Sequence, residues 1–216
     1  MSDFIRYYDD MLTKEECNDL INHTKNLHSE YSEVKNKLEK IKSNLKLGIN
    51  FTSTIKETLG NNSRFYYRVL DTAYTEKQIE LIDTVLEKAY NNYQKDFTLD
   101  NNYDNIVNNW KVHYNPIGGY VNWHNDLGGT SNNEQSWHRE LVFILYLNDM
   151  EEGELKFKYF PNVCVMPKAG RVLMMPTAWP WIHKADRLFE EKFILTGFFY
   201  NKKLLRGMTT QYDGYR

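Results

Sequence analysis

Three side chains in the carboxyl-terminal half of the chain have the types and spacing of a metal site. His124 and Asp126 stand two positions apart in YVNWHNDLGG, and His183 follows a later apolar segment. Residues i and i+2 of a β-strand point to the same side of a sheet, so His124 and Asp126 are predicted to face one point. If His183 reaches the same sheet edge, the three side chains can share one metal ion.

Two histidines and one carboxylate form the facial triad of non-haem Fe(II) oxygenases, which leaves positions open for a co-substrate and O2. A lone His-x-Asp pair is more often an ordinary polar pair, and a lone histidine is no stronger. The order along the chain gives the pattern its weight, because the pair follows one predicted strand and His183 follows a later one.

Lys192 opens the apolar segment KFILTGFF, nine positions after His183. A lysine that enters a barrel interior is costly unless an anion pairs with it. A dicarboxylate co-substrate would be such an anion. The alternative is that Lys192 faces solvent at the end of its strand.

Two stretches of the first hundred residues have helical patterns that begin with capping signatures. Thr13 stands three positions before Glu16, and Thr75 stands three positions before Gln78, which is the spacing of a capping box. Apolar residues then recur every three or four positions, and this pattern is also present over residues 31–45. We therefore expect helices in the amino-terminal part, with the stretch SRFYYRVLD between them as a strand.

From about residue 106 the pattern changes to short apolar or alternating segments separated by glycine and proline. ELVFILYLND is an almost unbroken apolar run, which favours a strand buried on both faces. Many short strands with such turn residues predict an antiparallel sandwich or barrel. The polar stretch LGGTSNNEQSW after the His-x-Asp pair is a candidate lid.

Composition limits the classes of partner. The chain has 216 residues, of which 41% are hydrophobic, so one domain with a sizeable core is expected. A formal net charge of −2 gives no basic footprint for nucleic acid or a membrane surface. No secretory signal or membrane-length apolar run is visible, and Cys17 and Cys164 fit reduced thiols. We expect a cytoplasmic protein, and the sequence leaves its oligomeric state open.

Several motifs carry a resemblance to one known family. They are YNPIGGYVNWHND, RELVFILYLND, EGELKF and PKAGRVLMMP, followed by His183 and Lys192. As a set they resemble the Fe(II)/2-oxoglutarate-dependent dioxygenase superfamily and, within it, the prolyl 4-hydroxylase-like group. DDMLTKEECNDLI is similar to the usual first helix of that group. The chain departs from the group at Val142 and Leu155, where threonine is common, and at Glu152, where glycine is common.

The resemblance implies an α+β fold: a double-stranded β-helix, the jelly-roll of cupin-like enzymes, with supporting amino-terminal helices. We expect a single domain over residues 1–216, with a helical part over about 1–100 and the jelly-roll core over about 106–200. Fe(II) would be held by His124, Asp126 and His183. The further reactants implied are 2-oxoglutarate and O2, with ascorbate as an additional cofactor.

The resemblance also implies a binding mode for 2-oxoglutarate, whose far carboxylate would pair with Lys192 and accept hydroxyl donors from Tyr114 and Thr196. Thr196 lies four positions past Lys192, hence on the same strand face. A buried carboxylate needs a cation and hydroxyl donors. Because His113 alternates with Tyr114, it is predicted to face away from the site.

Candidate substrate contacts are Trp179, Trp181 and Arg139. Trp179 and Trp181 are four and two positions before His183 and so can share its face of a strand, and Arg139 stands at the start of the apolar strand. Core packing and an ordinary ion pair are the alternatives for these residues. The activity implied is hydroxylation of a protein or peptide, with a prolyl residue as the leading target, and release of succinate and CO2. The alternatives are hydroxylation of a small molecule such as a free amino acid, and a catalytically silent jelly-roll that binds a metal.

Overall fold

The computed structural model describes residues 4–45, 55–60, 64–70, 73–97, 105–127 and 138–201. Within these ranges the chain forms two helices and eleven strands. In chain order they are β1 (Arg6–Tyr8), α1 (Lys14–Leu45), β2 (Ile55–Gly60), β3 (Arg64–Leu70), α2 (Glu76–Phe97), β4 (Asn105–Asn115), β5 (Tyr120–His124), β6 (Arg139–Tyr146), β7 (Leu155–Phe157), β8 (Cys164–Val165), β9 (Val172–Pro176), β10 (His183–Ala185) and β11 (Lys192–Asn201).

Both helices begin at the predicted capping boxes. The Thr13 main-chain N–H donates to the Glu16 carboxylate at 2.8 Å, and the Glu16 N–H donates back to the Thr13 hydroxyl at 3.2 Å. Thr75 and Gln78 make the same reciprocal pair at 3.1 and 3.3 Å. These bonds satisfy main-chain donors that a helix leaves without partners in its first turn. The helical pattern at residues 31–45 continues α1 without interruption.

The strands pair antiparallel throughout and form one continuous hydrogen-bonded path, as the predicted jelly-roll requires. The order along the path is β1-β9-β6-β11-β4-β3-β5-β10-β7-β8, and β2 adds to β3. β6 lies between β9 and β11, and β11 also pairs with β4 over most of its length. The α+β jelly-roll fold predicted from the sequence is confirmed.

β6 is buried on both faces, as its unbroken apolar run predicts, and its residues alternate between two cores. The core between the sheet and the helices includes Leu141, Phe143 and Leu145. The core inside the jelly-roll includes Val142, Ile144 and Tyr146. Because its residues alternate in this way, β6 joins the two cores of the fold. Burying each aliphatic or phenyl side chain contributes roughly 1.5–3 kcal/mol to stability.

The amino-terminal part contributes more strands than the sequence predicts. β1 pairs with β9, β2 pairs with β3, and β3 lies between β4 and β5 in the sheet. β1 is too short to show a periodic pattern, and the pattern of β2 is weak. These segments are strands because they pair with strands elsewhere in the chain, which local sequence does not show. The strand predicted at SRFYYRVLD is present as β3, and β1 and β2 are additional to it.

Gly170 packs against the main chain of the segment between β1 and α1. It has a φ of 77°, and its carbonyl accepts a hydrogen bond from the Met11 N–H at 2.9 Å. A Cβ at this position would collide with the carbonyl oxygen of Leu12. The turn before β9 therefore requires glycine for both backbone conformation and space.

Residues 128–137, which make up most of the candidate lid, lie outside the described residues. Neither helix, over its described residues, is long and apolar enough to cross a membrane.

Candidate active site

The two predicted histidine ligands face each other across a pair of strands. His124 ends β5, His183 begins β10, and the two residues are direct partners in this antiparallel pair. Their ring centroids are 4.3 Å apart. The Asp126 carboxylate completes the group, with one oxygen 3.8 Å from His124 Nε2 and the other 3.6 Å from His183 Nε2. One ligand atom from each residue lies within 4.8 Å of the other two, which suits a shared metal ion.

Asp126 reaches the group by a different route from the one that strand parity predicts. β5 ends at His124, so Asp126 lies in a bend beyond the strand. The N–H groups of Asp126 and Leu127 both donate to the carbonyl of Thr177, at 3.1 and 3.2 Å. The predicted convergence is present, but main-chain bonds to Thr177 produce it.

Both histidines are oriented with Nε2 toward the carboxylate. His124 Nδ1 lies 2.9 Å from the Asn122 carbonyl, and His183 Nδ1 lies 3.0 Å from the Trp181 carbonyl. A carbonyl can only accept, so we assign the proton to Nδ1 in each ring, which leaves the Nε2 lone pairs free for a metal.

Burial and electrostatics also suit a divalent cation. Burial lowers the pKa of His183, against the opposing effect of Asp126, and so favours the neutral ring that binds metal. One oxygen of Asp126 is buried without a hydrogen-bond partner among the described residues. A buried carboxylate oxygen left in this way is costly, and a bound cation would compensate it. The residues present therefore fit the Fe(II) expected from the sequence.

Lys192 points into the jelly-roll, where it is 3% exposed. Its ammonium donates to the Gly153 carbonyl at 2.6 Å and lies 5.5 Å from the centroid of the Tyr146 ring. In the described part of the chain it forms no ion pair with a carboxylate. The nearby negative charge of Glu154 raises the pKa of Lys192, but burial has the larger effect and lowers it to about 8. A buried cation in this state suits an anionic ligand.

Tyr146 is a second polar group in the same interior and is not among the residues predicted from the sequence. Its hydroxyl is buried without a hydrogen-bond partner among the described residues, and burial raises its pKa, so it is a neutral donor. A sequence signal did exist, because Tyr146 stands two and four positions after Ile144 and Val142, which face the same jelly-roll interior. A carboxylate bound at Lys192 could accept from this hydroxyl.

Thr196 and Tyr114, the two predicted hydroxyl donors, have different positions. Thr196 is buried on β11, and its hydroxyl donates to the Phe143 carbonyl at 3.0 Å. Tyr114 stacks on Phe193 at 4.8 Å, on the helix-facing side of the sheet, and its hydroxyl donates to Glu191. The structure therefore does not bring Tyr114 together with Lys192.

The three predicted substrate contacts also lie in different environments. Arg139 donates to the Asp126 carbonyl at 3.1 Å, and its guanidinium lies 3.8 Å from the Phe198 ring centroid. Trp181 packs against the core inside the jelly-roll. Trp179 is 68% exposed and contacts the edge of Tyr159, with the ring centroids 6.2 Å apart. Of the three, Trp179 is the side chain most accessible to a substrate.

Residues 110–200 match the family model of the 2OG-Fe(II) oxygenase superfamily. This range covers β5 to β10, and it contains His124, Asp126, His183 and Lys192. No protein of curated function matches the chain in sequence.

Solved structures of prolyl hydroxylases are similar in fold. A prolyl hydroxylase from Trichoplax adhaerens, in complex with a hypoxia inducible factor peptide fragment, is 15% identical, with a TM-score of 0.64 over 97% of this chain and 89% of that chain. A Pseudomonas putida prolyl-4-hydroxylase is 14% identical, with a TM-score of 0.61 over 91% and 92%. The collagen prolyl hydroxylase of Paramecium Bursaria Chlorella virus-1, in its 2OG complex, is 17% identical, with a TM-score of 0.58 over 91% and 95%.

The resemblance to the 2OG-Fe(II) oxygenase superfamily is thus confirmed over residues 110–200, and the similar structures show that the chain shares the fold of prolyl hydroxylases. The family match and the His-Asp-His group indicate a 2-oxoglutarate-dependent dioxygenase, for which the family implies Fe(II), 2-oxoglutarate and O2.

Proposed function

We propose that this chain, whose jelly-roll matches the 2OG-Fe(II) oxygenase superfamily, hydroxylates a prolyl residue of a protein or peptide substrate. The observation that carries the proposal is the combination of two features in one jelly-roll. The metal-ligand group His124, Asp126 and His183 converges at its edge, and the buried cation Lys192 lies in its interior without a carboxylate partner among the described residues.

In this proposal His124, Asp126 and His183 hold Fe(II) through two Nε2 atoms and a carboxylate oxygen. When bound, Fe(II) with 2-oxoglutarate and O2 supplies the oxidising chemistry, in which 2-oxoglutarate becomes succinate and CO2 and a substrate C–H bond becomes C–OH. The carbonyls of Asn122 and Trp181 fix the ring orientations through the Nδ1 protons. This support keeps the two histidines in the ligand geometry without further reorganisation.

Lys192 and Tyr146 bind the far carboxylate of 2-oxoglutarate. The Lys192 ammonium supplies the opposite charge, and the Tyr146 hydroxyl supplies a hydrogen bond that it does not make elsewhere in the described structure. Charge-assisted hydrogen bonds of this kind are stronger than those between neutral groups. Thr196, whose hydroxyl proton is used by Phe143, contributes packing and a free lone pair rather than a donor.

The interior around Lys192 and Tyr146 is apolar, which limits the access of water to a bound carboxylate. The Phe157 ring centroid lies 6.2 Å from that of His183, and Phe157 belongs to the same buried cluster as Tyr146. Low local polarity strengthens the attraction between Lys192 and a bound carboxylate.

The choice of substrate is supported by the similar structures, which are prolyl hydroxylases, one of them with a bound peptide. Trp179 lies four positions before His183, and Tyr159 follows β7, the strand that pairs with β10 at His183. The exposed rings of these two residues offer an accessible surface for a peptide chain. We place the activity in one catalytic domain over residues 1–216, in the cytoplasm, with ascorbate as an auxiliary reductant.

The test measures succinate formed from 2-oxoglutarate by the full chain with Fe(II) and O2, with and without proline-containing peptides. We expect succinate formation that is stimulated by a peptide, together with the mass gain of one oxygen atom on that peptide. The His183→Ala variant is the matched control and should show neither. Stimulation by a free amino acid instead would identify a small-molecule hydroxylase, and no Fe(II)-dependent succinate would indicate a catalytically silent jelly-roll.

A further inference from the structure

The three members of the metal-ligand group are not held in place in the same way. His124 and His183 lie in β5 and β10, where the pairing of the strands positions them. Asp126 lies beyond the end of β5, in a bend where no strand pairing reaches it. The position of its carboxylate must therefore depend on other contacts.

Those contacts form a closed hydrogen-bonded circuit around Thr177, which is buried just after β9. The Thr177 carbonyl accepts from Asp126 and Leu127, and its N–H donates to the Glu140 carbonyl at 3.0 Å. Its hydroxyl donates to the Arg139 carbonyl at 2.6 Å. Thr177 thereby binds both the segment that carries Asp126 and the start of β6.

Arg139 closes the circuit. Its guanidinium donates to the Asp126 carbonyl at 3.1 Å, while the plane of the group is held against the Phe198 ring. The main chain of Asp126 is thus bound on its N–H side by Thr177 and on its carbonyl side by Arg139. These two contacts restrict the rotations that aim the carboxylate toward His183.

We propose that Thr177 is a positioning residue for Asp126, acting through its hydroxyl bond to Arg139 and so setting the aim of the metal-binding carboxylate. The inference rests on the proposed metal site. The main-chain bonds of Thr177 survive any substitution of its side chain, whereas the hydroxyl bond to Arg139 is removed by Thr177→Val at almost constant shape. Groups that orient metal ligands typically contribute about 10- to 100-fold to metal affinity.

The test is calorimetric titration of the full chain with Mn(II), together with the visible absorption of the Co(II)-loaded protein, which reports ligand geometry. For Thr177→Val we expect Mn(II) affinity to fall about 10-fold or more and the Co(II) spectrum to change. Thr177→Ser keeps the hydroxyl and should restore both. Thr24→Val removes another buried hydroxyl, which donates to the Leu20 carbonyl at 2.7 Å in α1, and is the control for general loss of stability.

Wild-type Mn(II) affinity in Thr177→Val would overturn the inference, as would an equal loss in Thr24→Val. If the wild-type chain itself binds no Mn(II), the proposed metal site fails, which is a separate result. If Thr177→Val does not fold, Arg139→Met carries the test, because it keeps an apolar stem against Phe198 and removes the donor to Asp126. Unchanged Mn(II) affinity in that variant would equally reject the circuit.

Discussion

Lys192 and Tyr146 lie side by side inside the jelly-roll, with the Lys192 ammonium 5.5 Å from the centroid of the Tyr146 ring. They come from the adjacent strands β11 and β6, and both side chains enter the interior core. Neither Lys192 nor the Tyr146 hydroxyl has a carboxylate partner among the described residues. A buried cation beside an unused hydroxyl donor is the arrangement that a carboxylate ligand requires.

Tyr146→Phe should weaken binding of 2-oxoglutarate about 10- to 100-fold, because a hydrogen bond to a charged group contributes roughly 1.5–3 kcal/mol. Metal binding should not change, since the hydroxyl makes no contact with the His-Asp-His group in the described structure. Calorimetric titration of the Mn(II)-loaded protein with 2-oxoglutarate measures the effect.

Tyr114→Phe is the matched control, because the Tyr114 hydroxyl bonds Glu191 on the helix-facing side of the sheet. It should leave the affinity for 2-oxoglutarate within about twofold of wild type, on the order of 0.4 kcal/mol. A larger loss in Tyr114→Phe than in Tyr146→Phe would restore the role that the sequence predicts for Tyr114.

Replacing a metal ligand should abolish turnover without unfolding the chain. We expect Asp126→Ala and His183→Ala to lose Fe(II)-dependent conversion of 2-oxoglutarate, because each removes one of three ligands. Circular dichroism should remain close to wild type, since strand pairing does not depend on these side chains. Turnover comparable to wild type in either variant, at saturating Fe(II), would show that the ligand assignment is wrong.

The sequence predicts which side chains carry chemistry better than it predicts how they are placed. His124 and His183 meet because β5 and β10 pair, and the order of the motifs does not by itself specify that pairing. Tyr114 and Lys192 do not meet, because alternation within a strand does not say which of its faces matches a given face of another strand. Register decides this, and it sets Tyr114 opposite Phe193 on the helix-facing side.

The same register reverses the expectation for His113. It lies opposite Ile194, a residue packed against the interior core, so His113 shares the face that Lys192 occupies rather than the face of Tyr114. Asn115 lies opposite Lys192 and donates to its carbonyl at 3.2 Å. Such pairings depend on contacts between distant parts of the chain and cannot be read from local pattern alone.

Gly170→Ala should destabilise the fold strongly. The substitution forces a Cβ into a left-handed backbone conformation, which costs roughly 1–2 kcal/mol, and it also creates a collision with the Leu12 carbonyl. Gly118 is the matched control, because it has a similar φ of 83° but open space around the position of a Cβ. Urea unfolding should show a clearly larger loss for Gly170→Ala than for Gly118→Ala, and equal losses would mean that the collision is relieved at little cost.

Lys192→Ala should bind 2-oxoglutarate far more weakly while still binding metal. Removing one partner of a buried charge pair costs roughly 3–5 kcal/mol, which corresponds to about two to four powers of ten in affinity. Lys192→Arg should recover part of the affinity, since it keeps the charge but changes shape and reach. Titration with 2-oxoglutarate in the presence of Mn(II) gives both values, and an affinity within about twofold of wild type for Lys192→Ala would place the carboxylate site elsewhere.

The lowered pKa of Lys192 predicts opposite pH trends for co-substrate binding and for stability. Burial lowers this pKa from its ordinary 10.5 to about 8. Two neighbouring groups do not titrate between these values. Lys156 lowers the pKa of Glu154, which stays ionised, and burial raises the pKa of Tyr146, which stays neutral. Above pH 8 Lys192 loses its charge in the free protein, so affinity for 2-oxoglutarate should fall as pH rises.

Between pH 8 and 10.5 the unfolded chain binds more protons at Lys192 than the folded chain does, so this residue should make the free energy of unfolding rise with pH across that window. Lys192→Met keeps an unbranched side chain and removes the titration. Urea unfolding of wild type and Lys192→Met at pH 7, 8.5 and 10 isolates the effect, because every other lysine is common to both proteins. We expect Lys192→Met to be the more stable of the two at pH 7, with the difference shrinking toward pH 10. A difference that stays constant with pH would show that Lys192 keeps an ordinary pKa in the folded protein and is not desolvated.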